Sequence, residues 1–165
     1  MPDERVIQQV YGILSMNKVE FRTTQDDKSF LVPYGSAGVF VDFKDWDEGG
    51  TLVNLHAFVL EEVDSSGDRR LKILEELNDF NKRTYMGKAY LDDEGGYVVL
   101  EHDILGDNLD GPELMGVLGL LASTADQMDD DLIAKIGTGR RAKDTWDAAS
   151  DDSKAPDGSG PTVAA

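Results

Sequence analysis

Between Val19 and Val63 apolar residues recur at every second position, and that period confines the segment to strands. Val19 and Phe21 come first, then Phe30 and Val32, then Val39, Val41 and Phe43. The turn-forming stretches TTQDDK, Pro33 to Gly35, and DWDEGG separate these runs from one another and from the next. The last run, TLVNLHAFVLEEV over 51–63, is the longest. It places Val53, Leu55, Ala57 and Val59 on one face and Leu52, Asn54, His56, Phe58 and Leu60 on the other. Short strands joined by tight polar turns predict an antiparallel meander.

Helical spacing frames this meander. Val6, Ile7, Val10, Ile13 and Leu14 predict an amphipathic helix over 3–16, stopping at Asn17. After DSSGD a second helix is expected over 67–84, with Leu71, Leu74, Leu77 and Phe80 as its apolar stripe and Ile73 widening it. KAYLD, DEGG and YVVLEHDI then read as a hairpin. Asp110-Gly-Pro-Glu113 opens the last helix, with an N-cap acceptor, Pro112 in the first turn and Glu three residues after the cap. That helix ends near Gly137. Leu114, Val117, Leu118, Leu121, Ala125 and Met128 form one face; Met115 and Leu120 extend it far enough to predict burial on two sides. Gly116 and Gly119 would permit a close backbone approach. The expected order is αβββ(β)αββα, an α+β fold with an antiparallel sheet and helices packed on one face.

Composition changes at Gly137. Residues 137–165 are rich in Gly, Ser, Asp, Ala and Pro, with Trp146 and Val163 as the large apolar groups. Such a segment buries too little to offset the entropy of ordering, so a folded domain over 1–136 and a disordered polar tail over 137–165 are expected. The tail holds four basic and five acidic residues, so nearly all of the net charge of −17 lies on 1–136. That charge argues against nucleic acid and against anionic membranes as partners. The chain has no cysteine, which excludes disulfides, thiolate metal sites and cysteine nucleophiles. The acidic, interrupted N-terminus MPDERVIQQVYGIL lacks the pattern of an export signal, and a soluble, cytoplasmic protein is expected.

Strong catalytic signatures are missing: no phosphate loop, nucleophile elbow, zinc-protease helix or dinucleotide fingerprint appears, so no cofactor is expected. Asp92-Asp93-Glu94-Gly95-Gly96 lacks calcium-loop spacing and reads as a turn. In Glu101-His102-Asp103 the two carboxylates share a strand face, the geometry of a possible acid–base pair, although no supporting constellation accompanies them. His56 reads as a half-buried strand histidine rather than a ligand. Asn78 and Asn81, one helical turn apart, read as residues that bond local backbone near a helix end.

The stretch from Leu71 to Ile136 adds a resemblance. Its L-x-x-L-N-x-x-N helix, then G-K-A-Y-L-D, a turn, V-V-L-E and a final amphipathic helix resemble the bacterial YbjN-like family. That family shares its fold with type III secretion chaperones and has been labelled a sensory transduction regulator. The resemblance implies an αβββαββα fold, often a homodimer, and a protein-binding or chaperone-like role with no catalytic residues to carry over. The order read from the residues agrees, with one extra strand-like run before the second helix.

Three functions compete at this point. The first is a non-catalytic, chaperone-like adaptor, a homodimer that engages a protein or peptide client through apolar patches. The second is a regulatory module that binds a folded partner. The third is a small acid/base enzyme using Glu101 and Asp103. The candidate client or dimer surface comprises Leu52, Phe58 and Leu60 on the long strand and Met115, Leu120 and Met128 on the last helix.

Overall fold

A computed structural model describes residues 1–23, 28–47 and 49–142. The chain runs α1 (Glu4–Met16), β1 (Arg22–Thr23), β2 (Phe30–Tyr34), β3 (Ala37–Trp46), β4 (Gly50–Glu61), α2 (Arg69–Arg83), β5 (Lys88–Asp92), β6 (Tyr97–Leu105), a 3-10 turn (Gly106–Asn108), α3 (Gly111–Ile136) and β7 (Arg140–Arg141). Every strand pairs antiparallel, in the order β1-β2-β3-β4-β6-β5, with β7 against the end of β4. The α+β order is the expected one. The extra strand is the two-residue β1, placed slightly later than the Val19–Phe21 alternation suggested.

Register explains why one sheet face is the core. Val39 lies opposite Ala57, Val41 opposite Leu55 and Phe43 opposite Val53. On the far side of β4, Val53 faces Ile104 and Ala57 faces Leu100. These side chains join Val10 and Leu14 of α1, Ile73 and Leu77 of α2, and Leu114, Leu118 and Leu121 of α3 in one apolar cluster. Each fully buried Leu or Val contributes about 1.5–3 kcal/mol, so three helices compete for this one face. Two contacts fix α1: the Asp3 amide donates to Thr51 Oγ1 at 2.9 Å, and Gln9 Nε2 donates to the Leu109 carbonyl at 2.5 Å. At Gly106 a Cβ would lie 2.7 Å from Val6 Cγ1 and 2.8 Å from the Thr51 carbonyl oxygen, so only glycine permits this approach.

The predicted helix signals operate as written. Asp110 Oδ1 accepts from the Glu113 amide at 2.8 Å. Gly137 adopts the left-handed conformation, φ 71°, and its amide caps the Ile133 carbonyl. Four expectations need correction. In α2 the buried stripe is Ile73 and Leu77, with Phe80 packed against the core, while Leu71 and Leu74 point outward. In β4 a register shift between Phe58 and Leu60 turns Leu60 into the core, where it is 0% exposed. α3 buries one broad face, whereas Gly116, Gly119 and Leu120 lie outside it, and among the described residues nothing outside the helix comes within 4 Å of where a Cβ would stand on either glycine. Finally, the domain does not close at 136. Arg140–Arg141 pair with Leu60 and Glu61, Arg140 bridges Glu61 and Glu62, and Arg141 donates to Asp130 at 2.9 Å. The remaining tail, from 143, lies outside the described residues.

Candidate functional site

Because all three helices crowd onto one sheet face, the opposite face carries no helix among the described residues. The strand registers stack its side chains in rows. Phe40, His56, Glu101 and Lys88 form one row across β3, β4, β6 and β5. Phe58, Val99 and Tyr90 form the next. On the other side come Asp42, Asn54 and Asp103, and beyond them Lys44, Leu52 and Leu105.

The aromatic rings on this open face are mutually packed. His56 stacks on Phe40 with centroids 5.2 Å apart and an 11° interplanar angle. Phe58 meets Phe40 edge-on at 5.7 Å and Tyr97 at 5.0 Å. Phe40, Phe58 and Tyr97 are half-buried and Tyr90 is 40% exposed, whereas Val99 beneath them is buried. Between Phe58, Tyr90 and the polar row lies a shallow cleft whose lining includes Asp42, Asp92 and Glu101.

The polar row is a directed chain. Asn54 Nδ2 donates to Asp103 Oδ1 at 2.7 Å, which leaves Asn54 Oδ1 to accept from His56 Nδ1 at 3.1 Å. Burial lowers the His56 pKa, with the Asp42 and Glu101 carboxylates pulling the other way, so the ring is neutral near pH 7. Glu101 is engaged on both oxygens, by Lys88 Nζ at 2.7 Å and by the Tyr90 hydroxyl at 3.1 Å. Burial alone would raise the Glu101 carboxyl, but these two partners outweigh it and hold it below the ordinary value. Burial, followed by the Glu101 charge, pushes the Tyr90 phenol up to about 12, so Tyr90 acts as a donor and not as a base.

The six residues expected on a binding surface do not form one patch. Leu52 and Phe58 are half-buried on the open sheet face. Leu60 is in the core. Met115 and Met128 are partly buried against the core in the helix layer, and Met128 also lines a groove with Phe80 and Leu132 between α2 and α3. Leu120 is 43% exposed on the outer side of α3. The sequence reading missed Phe40, Tyr90 and Tyr97, although the alternation of Phe40 with Val39 and Val41 was its signal. Of the other candidates, His102 Nδ1 accepts from the Gly87 amide at 3.1 Å, and Asn81 bonds the backbone of Ala89. Among the described residues no group of three or more His, Cys, Asp and Glu could hold a metal ion, and no helix is long and apolar enough to cross a membrane.

Residues 4–145 match the family described as TY-Chap1, "T3SS (YopN, CesT) and YbjN peptide-binding chaperone 1". Three solved structures share the fold. The ExsC–ExsE complex superposes with a TM-score of 0.57 at 16% identity, covering 78% of this chain and 93% of the other. YbjN from E. coli gives 0.56 at 14% identity, with 82% and 96% covered. The HopA1–SchA chaperone–effector complex gives 0.55 at 10% identity, with 78% and 98% covered. No curated protein sequence matches significantly.

Proposed function

This chain belongs to the family of peptide-binding chaperones of type III secretion and YbjN type, and from that premise we infer that it holds its client on the open face of the sheet, as a cytoplasmic homodimer, without catalysing a reaction. Membership makes it a chaperone-like, protein-binding domain; the location of the contact is the finer step. One observation carries that location: on the sheet face opposite the helices Phe58 packs edge-on against Tyr97, with Tyr90 40% exposed two strands away, and among the described residues no helix lies over them. Contiguous apolar surface of this kind marks an interaction site. The non-catalytic reading is supported by the engaged state of the candidate acid–base pair, with Glu101 held by Lys88 and Tyr90 and Asp103 by Asn54. A homodimer is supported by apolar side chains left outside the core in the helix layer: Leu71, Leu74 and Leu120. The cytoplasmic placement rests on the cysteine-free composition.

The test is fluorescence anisotropy with labelled 15-residue peptides rich in Leu and Phe, on the full chain. Phe58→Ser should weaken binding at least roughly tenfold, the scale of losing one aromatic anchor, while Leu120→Ser leaves it unchanged. The reverse pattern would move the client to the helix layer. Sedimentation of the same samples should show a species of twice 18.1 kDa; a monomer at both low and moderate salt would remove the homodimer from the reading.

A further inference from the structure

The open face carries charge as well as rings, and the charge selects among clients. Four carboxylates stand on it, Asp42, Asp92, Glu101 and Asp103, against two ammonium groups, Lys44 and Lys88. Lys88 is already committed, 2.7 Å from Glu101 and 3.9 Å from Asp103. Asp42 and Asp92 flank the cleft from opposite sides, on β3 and β5. Among the described residues the ion-pair neighbour of Asp42 is the imidazole of His56 at 3.6 Å, and the Asp92 carboxylate accepts from the amides of Glu94 and Gly95 in its own turn. Neither carboxylate therefore has a lysine or arginine partner among the described residues. Phe58 and Tyr90 line the same cleft. Aromatic faces beside uncompensated carboxylates attract a cation from both sides, through the ring quadrupoles and through direct charge.

We propose that the client segment taken by this face is apolar and cationic: a large apolar side chain seated on Phe58, with an adjacent arginine or lysine in the cleft between Asp42 and Asp92. This rests on the open-face reading above and adds the chemistry of the ligand. The net charge of −17 works in the same direction at longer range, drawing basic segments inward and repelling acidic ones. Lys44 at the rim opposes it, but one exposed ammonium faces a surplus of carboxylates. The preference must be sensitive to salt, because charges this exposed are screened beyond roughly 8 Å at 0.15 M.

The experiment uses the full chain and three labelled peptides of equal length with identical Leu and Phe positions, flanked by Arg, by Gln or by Glu. At about 0.05 M salt the Arg peptide should bind roughly tenfold more tightly than the Gln peptide, with the Glu peptide weakest, and the gap should shrink severalfold at about 0.5 M. The Asp42→Asn, Asp92→Asn double variant, checked for native circular dichroism, should lose most of the Arg preference, read as the ratio of Arg-peptide to Gln-peptide affinity within the variant. Equal affinity for Arg and Gln peptides, or a preference that survives in the double variant, would overturn the proposal while leaving the open-face reading standing. Failure of all three peptides to bind, or binding that is indifferent to Phe58→Ser, would overturn the open-face reading and this proposal together.

Discussion

Asn81 offers the sharpest test of how the sheet is closed. β5 is the last strand of the sheet, and on its inner side Ala89 pairs with Leu100. On its outer side the Asn81 amide takes the place of a neighbouring peptide: Nδ2 donates to the Ala89 carbonyl at 2.9 Å and Oδ1 accepts from the Ala89 amide at 2.8 Å. Replacing Asn81 by Ala removes both bonds. Each is worth about 1 kcal/mol net, and Ala89 is buried, so water replaces them poorly. Against this, alanine gains about 0.5 kcal/mol in helix propensity at the end of α2. The balance is a loss of about 1.5 kcal/mol, or about 3–6 °C in Tm for a domain of this size. Urea denaturation followed by circular dichroism would measure it, and faster amide exchange at Ala89 would locate it. Asn78→Ala serves as the control, because Asn78 is exposed and should gain propensity without losing a bond. If Asn81→Ala is as stable as the wild type, propensity outweighs the bonds and Asn81 does not close the edge.

Leu60→Ala should cost about 2–5 kcal/mol in urea denaturation, the range for a fully buried leucine, whereas a surface leucine would cost less than about 0.5 kcal/mol. The pH dependence follows from His56. Its folded pKa lies below the ordinary 6.5, so the unfolded chain takes up the proton first as pH falls. Stability supplied by the neutral ring is present above 6.5 and is lost as pH drops through that value toward the folded pKa. Urea midpoints should therefore fall more between pH 7.5 and 5.5 for the wild type than for His56→Gln. An equal fall in both, or a rise in the wild type, would contradict the burial argument.

What the sequence made legible was local. Asp110, Pro112, Glu113 and Gly137 mark the ends of α3 through contacts within a few residues, and all are found at their predicted positions. Alternation in β2, β3 and β4 likewise needs only neighbouring positions. The misses depend on distant partners. Leu60 follows the strict period of β4, but its face is decided by a bulge set against Val98 of β6, a strand beyond α2 and β5 in the chain. In α2, Leu71-Leu74-Leu77 and Ile73-Leu77-Phe80 are both legitimate helical stripes, and the choice belongs to β5 and α3, against which the helix docks. The aromatic cluster was hidden for the same reason: β4 pairs with β6, so Phe58 and Tyr97 meet only once the sheet is assembled. Arg140 and Arg141 sit in a segment of tail-like composition. Ion pairs to Glu61, Glu62 and Asp130, rather than apolar burial, hold them to β4 and α3.

If the open face holds the client as proposed, it must stay in solution when uncovered, and the arrangement of this sheet meets that demand in two ways. The row Asp42–Asn54–Asp103 divides the apolar side chains into two smaller areas, one around Phe58 and one around Leu52 and Leu105. Its hydrogen-bonded chain through His56 lets those polar groups be buried without orphaned donors, and no unsatisfied buried side-chain atom exists among the described residues. Both sheet edges are also blunted. Asn81 occupies the outer side of β5, while β1 covers Phe30 and Leu31 of β2 and Pro33 brings no amide to the remainder. A chain that suppresses strand addition at its edges while leaving an aromatic face open favours a client held by side chains in the cleft over one added as a further strand. For a family of peptide-binding chaperones, that distinction decides whether specificity is read from the client's side chains or from its backbone.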